Sequence, residues 1–121
     1  MKQKPHITGK SLVLIFLISI TACSIKLAAP EQSDVDRVIT KYPGYNLAQL
    51  NEGKALFQQT CNRCHPLKNP KSRDESKWNT IVPIMIKKLN TKEGKEVIDS
   101  DQQEKILRYL VTMSSASAPA K

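Results

Sequence analysis

The chain has 121 residues and a formal charge of +8, and 40% of its residues are hydrophobic against 25% that are charged. This length allows a single small domain, and the composition is typical of a globular protein rather than of a disordered chain. Three cysteines are too few for a disulfide-stapled scaffold, and a chain of 121 residues is too short for a large enzyme with a deep substrate cleft.

Residues 1–22 have the pattern of an export signal. Three lysines and no acidic residue accompany an apolar run at 11–20. As a helix, this ten-residue run would extend about 15 Å, half of the roughly 30 Å needed to span a bilayer core. A short apolar run behind lysines predicts a signal peptide rather than a membrane span or a core helix. Removal of residues 1–22 takes away the three lysines and lowers the charge from +8 to +5.

The residues that follow this run predict a lipid anchor. The sequence I-T-A-C at 20–23 resembles a bacterial lipobox, whose cysteine becomes the acylated N-terminus. Cys23 is therefore the predicted lipid attachment site, on the periplasmic side of a bacterial membrane. Ser24 in place of an aspartate slightly favours the outer membrane. The alternative is an ordinary cleavage site followed by a free cysteine.

Apolar residues recur at helical spacing in three segments of the chain. They predict three helices, over residues 47–60, 75–89 and 101–113. Asn46 and Ser100 are the expected N-caps of the first and third helices, and Gln103 would complete a capping box with Ser100. Pro83 lacks an N–H, so we expect a kink or a break there. No segment alternates apolar and polar residues long enough to predict a strand, and the expected fold class is all-α.

The predicted order of segments is a signal peptide, a linker, one domain and a tail. Residues 23–41 are small and polar enough for a tether, although Val35, Val38 and Ile39 could form one helical turn. The domain is expected over residues 42–113. Residues 114–121 predict a disordered tail. Three short helices bury a thin core, and such a domain usually needs a disulfide, a metal or a cofactor to be stable.

The strongest motif is C-N-R-C-H at residues 61–65, which has the spacing of a haem c attachment site. The Cys61 and Cys64 thiols could each bond one vinyl group of a haem, and His65 would then lie beneath the iron. A thioredoxin-type pair would need a βαβ pattern that is absent from the sequence, and zinc would need further ligands. A small Cys61–Cys64 disulfide is a further alternative.

Residues 42–111 resemble a small monohaem class I c-type cytochrome. The resemblance is carried by Y-P-G-Y-N-L-A-Q-L-N-E-G-K-A-L-F-Q-Q-T-C-N-R-C-H-P-L, by W-N-T-I-V-P-I-M-I-K-K and by E-K-I-L-R-Y-L. It implies three to four short helices packed around one covalently bound haem c. It also implies that Gly53 and Phe57 cross a C-terminal helix at Tyr109 and Leu110. The loop after His65 is short for this family, and a carbonyl within residues 66–70 is the expected acceptor for the ring N–H.

The second axial ligand of the iron can be narrowed by elimination. Once the signal peptide is removed, His65 is the only histidine and Met85 and Met113 are the only methionines. Met85 lies on the apolar stripe of the second helix and is the predicted ligand of the iron opposite His65. Met113, a lysine at 87 or 88, or no protein ligand at all are the alternatives.

The function that these features predict is electron transfer without enzymatic activity. The expected partners are redox proteins that dock briefly and the membrane that holds the anchor, whereas nothing in the sequence indicates nucleic-acid binding. A haem-based sensor of small ligands, an accessory cytochrome subunit of a dehydrogenase or oxidase, and a lipoprotein without haem are the alternatives.

Some side chains near the motif admit two interpretations. Trp78 could hydrogen-bond a haem propionate or simply pack in the core. The lysines at 87, 88, 92 and 95 could form a docking patch for an acidic partner or a solvated helix end, of which the solvated end is favoured.

Overall fold

The structure, a computed structural model, describes residues 25–114. These residues form four α-helices and one short 3-10 helix: α1 (Gln32–Val38), α2 (Leu47–Cys61), the 3-10 helix (Pro70–Ser72), α3 (Glu75–Glu93) and α4 (Ser100–Ser114). The described part of the chain contains no strand, so the all-α class is confirmed. None of its helices is long and apolar enough to cross a membrane. The predicted signal peptide, Cys23 and residues 115–121 lie outside the described residues.

Helices α2 and α4 cross in direct backbone contact at Gly53. A Cβ atom at this position would lie 2.4 Å from the carbonyl oxygen of Lys105 and 2.8 Å from the Cβ of Tyr109. Four residues further along α2, the ring of Phe57 packs 5.7 Å from that of Tyr109, measured between centroids. The crossing that the resemblance implies is therefore present, and it fixes the end of α2 relative to α4.

Helix α3 runs to Glu93, four residues beyond the predicted end. Its N-terminus is capped by the side chain of Asp74, and it ends at Gly94, whose φ of 66° is readily adopted only by glycine. The helix continues through Pro83, so the expected break does not occur. Pro83 lies on the exposed side of α3, where its ring meets solvent and not the core.

The N-terminal cap of α2 is the predicted one, whereas that of α4 lies one residue before the predicted position. The Asn46 side chain accepts a hydrogen bond from the backbone N–H of Gln49 at the start of α2, as predicted. At α4 the capping box is formed by Asp99 and Gln102, one residue before the predicted pair of Ser100 and Gln103. Aspartate is as good an N-cap as serine, so composition alone could not choose between the two registers.

The folded part begins earlier than the predicted domain boundary at residue 42. Leu27, Val35 and Val38, in the segment assigned to the tether, are buried in the core. Helix α1 is held by the Asp34–Arg37 ion pair, and Arg37 also lies 3.4 Å from the carbonyl oxygen of Thr112 in α4. These few apolar residues are too widely spaced to predict a core element, but together they cover one side of α4.

Candidate cofactor groove

Two adjoining hollows open beside the C-N-R-C-H motif, and together we call them the groove. The inner hollow is walled almost entirely by apolar atoms, and its empty volume is about 390 Å³ with the space open to solvent included. The outer hollow, nearer the surface, has an empty volume of about 760 Å³ with its open mouth included. Cys61, His65, Met85 and Ile86 line both hollows. Part of the sequence motif and the predicted methionine therefore border the same two neighbouring hollows between α2 and α3.

The two cysteines of the motif lie in different environments. Cys61 is the last residue of α2 and is partly buried, whereas Cys64 is exposed in the following turn and lines only the outer hollow. Both carry free thiols in this structure. Burial, with a smaller contribution from the nearby Cys64, raises the pKa of the Cys61 thiol to about 11. Between the cysteines, Arg63 forms a 3.1 Å ion pair with Glu93, which ties the motif to the end of α3.

The imidazole of His65 is positioned by its own loop. Its Nδ1 lies 2.9 Å from the carbonyl oxygen of Pro66, inside the segment where the sequence analysis expects the acceptor. Because a carbonyl only accepts hydrogen bonds, Nδ1 carries the proton and donates it, which leaves the Nε2 lone pair free. A carbonyl partner of this kind also makes a metal-binding imidazole a better donor. In this tautomer, Nε2 is the nitrogen through which His65 would bind a metal ion.

The structure separates the two candidate methionines. Met85 lines both hollows, and its exposed fraction of 36% is large for an apolar side chain. Met113 is only 4% exposed, packs in the core around α4 and lines neither hollow. Of the two thioethers, only that of Met85 shares a cavity with His65. Among the alternative lysine ligands, Lys88 lines the outer hollow and Lys87 does not.

The buried indole of Trp78 forms one wall of the inner hollow. Its Nε1–H donates to the carbonyl oxygen of Pro70 at 2.9 Å, a bond that fixes the 3-10 helix against α3. Of the two interpretations of Trp78, the structure therefore supports packing in the core.

All charged side chains that line the groove are basic. Lys68 and Arg73 lie at the inner hollow, and Lys88 and Lys92 lie at the outer one. No aspartate or glutamate lines either hollow. The Nε of Arg73 is buried and has no hydrogen-bond partner among the described residues. Lys68 and Arg73 were not predicted as site residues because they lie in a loop without periodicity, and nothing in their spacing indicates that they approach Trp78.

The groove combines apolar walls with basic side chains and a few potential donors to a cofactor. Across residues 25–114, no three or more His, Cys, Asp or Glu side chains come close enough together to hold a metal ion. The groove instead offers two thiols, one imidazole and one thioether around apolar walls, together with an unpaired buried donor on Arg73. These are the donor types that a covalently attached porphyrin would use, with thiols for its vinyl groups and an imidazole and a thioether for its iron.

No protein-family model matches the chain, and neither curated proteins nor solved structures are significantly similar to it. Residues Cys61, Cys64, His65 and Met85 and the groove they share are therefore the basis for assigning a function.

Proposed function

We propose that the protein is an electron carrier with one haem c covalently attached to Cys61 and Cys64. His65 and Met85 are the proposed axial ligands of the iron. The observation that supports the proposal is that Cys61, His65 and Met85 line both hollows of the groove and that Cys64 lines the outer one. Met85 lies twenty residues after His65 in the sequence, so their common cavity is a consequence of folding rather than of spacing.

Each side chain of the proposed site has a distinct task. The thiols of Cys61 and Cys64 hold the cofactor, and the Pro66 carbonyl keeps His65 in the tautomer that presents Nε2. When bound, the haem supplies a one-electron Fe(III)/Fe(II) couple, and a methionine ligand raises its potential. The apolar walls formed by residues such as Phe57 exclude water, which keeps the reorganisation that accompanies a change of charge small.

The proposed partners are redox proteins that dock transiently at the outer hollow. Lys88 and Lys92 line this hollow beside Cys64, so an acidic surface would find opposite charge there. Transient redox complexes bury less than about 1,200 Å², which a domain of this size can provide. The protein is proposed to have no enzymatic activity and to bind no nucleic acid. Lipid on Cys23 would hold the domain at the periplasmic side of the membrane.

Covalent attachment of haem is the first test of the proposal. The full chain is expressed in a bacterium with active haem-attachment machinery, and the mature protein is analysed by mass spectrometry and by haem staining of a denaturing gel. We expect the mass of the polypeptide plus one haem, and lipid on Cys23. The matched control is Cys61→Ala/Cys64→Ala, which should lose the stain. A wild-type protein of bare polypeptide mass would overturn the assignment.

Axial ligation is tested by two volume-conserving substitutions. Met85→Leu should abolish the weak long-wavelength absorption band that a thioether ligand gives ferric haem, and it should lower the potential. Met113→Leu removes the other thioether from the core at a cost below about 1.5 kcal/mol and should leave the band intact. If Met113→Leu abolished the band and Met85→Leu did not, the ligand assignment would be wrong.

A small-ligand sensor is the second candidate function. It is favoured by the 36% exposure of Met85, because a side chain that is not fixed in the core can be displaced from iron. An electron carrier should bind carbon monoxide poorly in its reduced form, whereas a sensor should bind it readily. Absorption spectra of the reduced wild-type protein with and without carbon monoxide distinguish the two.

A further inference from the structure

Arg73 is a cation without a counterion at the inner hollow. It follows the 3-10 helix, and its guanidinium carbon lies 5.6 Å from the centre of the Trp78 ring. Its Nε is buried without a hydrogen-bond partner, and within residues 25–114 Arg73 takes part in no ion pair. A buried donor left unsatisfied costs about 1–3 kcal/mol, and more when it is charged. In the described residues, the Nε–H of Arg73 therefore lacks an acceptor.

No side chain that lines the inner hollow supplies an acceptor for this N–H. Lys68, which lines the same hollow, is a second cation, and no acidic residue lines it. The Pro70 carbonyl already accepts the indole N–H of Trp78 at 2.9 Å and the backbone N–H of Arg73 at 3.5 Å. The first of these bonds occupies the indole N–H, so Trp78 offers no donor to an anion. Arg73 is consequently the side chain of this wall with a free, buried N–H.

We propose that Arg73 binds a carboxylate of the group held in the groove, with Lys68 as the second cation beside it. On the proposed function, from which this inference follows, that carboxylate is a haem propionate. An arginine N–H and a carboxylate form a charge-assisted hydrogen bond that is strong where water is excluded. The bond satisfies the buried Nε and neutralises a carboxylate that would otherwise lie against apolar walls. Arg73 would thereby orient the cofactor within the inner hollow and lower the pKa of its propionate.

The pH dependence of the midpoint potential tests this assignment, because a propionate that titrates near the iron changes the potential as it gains a proton. Haem is first confirmed by mass on the wild type and on Arg73→Gln. We expect the inflection attributable to the propionate to rise by roughly one to three pH units in Arg73→Gln, since an adjacent cation lowers a carboxyl pKa by that amount. The potential at neutral pH should fall, because the loss of a positive charge favours ferric iron.

Arg108 provides the matched control. Its guanidinium carbon lies 5.1 Å from the centre of the Tyr42 ring, but it lines neither hollow and pairs with Glu104. Arg108→Gln therefore removes the same charge and a similar ring contact without touching the groove, and its inflection should match the wild type.

The outcomes separate the two proposals. Haem present with equal inflections in Arg73→Gln and Arg108→Gln would overturn the role of Arg73 and leave the proposed function standing. Absence of covalent haem from the wild type would overturn both. If Arg73→Gln does not fold, the inflection of the midpoint potential is compared between Arg73→Lys and Arg108→Lys. Only Arg73→Lys should shift the inflection upward, because lysine lacks the Nε donor.

Discussion

Substitution of Gly53 by alanine should weaken the contact between α2 and α4 on which the groove depends. The added Cβ would lie 2.4 Å from the Lys105 carbonyl oxygen and 2.8 Å from the Tyr109 Cβ. Carbon atoms in favourable contact are about 3.5–4.0 Å apart, so the second distance is short by roughly 1 Å. Neither of these atoms can be moved by rotating a side chain. The two helices must therefore separate or tilt to accept the methyl group.

The net cost can be estimated from two opposing effects. Overpacking a tight core contact costs up to about 3 kcal/mol, and a rigid backbone neighbour places Gly53→Ala at the upper end. The higher helix propensity of alanine compared with glycine stabilises the helix by about 1 kcal/mol. The free energy of unfolding should fall by about 2 kcal/mol, which lowers the Tm of a domain of this size by roughly 8–16 °C.

Thermal and urea unfolding followed by circular dichroism measure this effect. Gln58→Ala, on the exposed side of the same helix, serves as the control and should change the free energy of unfolding by less than about 0.5 kcal/mol. If Gly53→Ala melted at or above the wild-type temperature, helix propensity would outweigh the clash. That result would refute the claim that the contact between α2 and α4 at Gly53 is too tight for a methyl group.

Three further predictions concern the groove and the core. In the haem-free protein, alkylation of Cys61 near neutral pH should be about a hundredfold slower in the native state than in urea, because burial raises the pKa of its thiol from 9.0 to about 11. The rates are measured by mass spectrometry, and equal rates would show that burial does not protect the thiol. Trp78→Phe removes the donor to the Pro70 carbonyl and should cost about 1–3 kcal/mol in urea unfolding, whereas an unchanged midpoint would mean that water replaces the bond. Burial raises the pKa of Tyr45 and Tyr109 from 10.0 to about 12, so both favour the folded state only while neutral, and stability should be lost from pH 10 upward. Unfolding midpoints that stay constant between pH 10 and 12 would contradict this.

Local sequence patterns located the helices well and their ends less well. The start of α2 follows from Asn46, because the cap and the first apolar residue are adjacent in sequence. The end of α3 at Gly94 was missed, because residues 90–93 are polar and continue the helix without adding to its apolar stripe. Helix α1 was underestimated for a different reason. Val35 and Val38 form an apolar pattern that is too short to predict burial without knowledge of the partner helix.

The sequence by itself determined the all-α class, the position of the C-N-R-C-H motif and Met85 as a candidate ligand, because each depends on residues close together in the chain. Only the tertiary structure decided which methionine shares a cavity with His65, and that Lys68 and Arg73 reach the wall formed by Trp78. It also brought Gly53 against Lys105, fifty-two residues away in the sequence. These relations depend on how the helices pack, and packing is set by side-chain shape and volume across the core rather than by spacing along one helix.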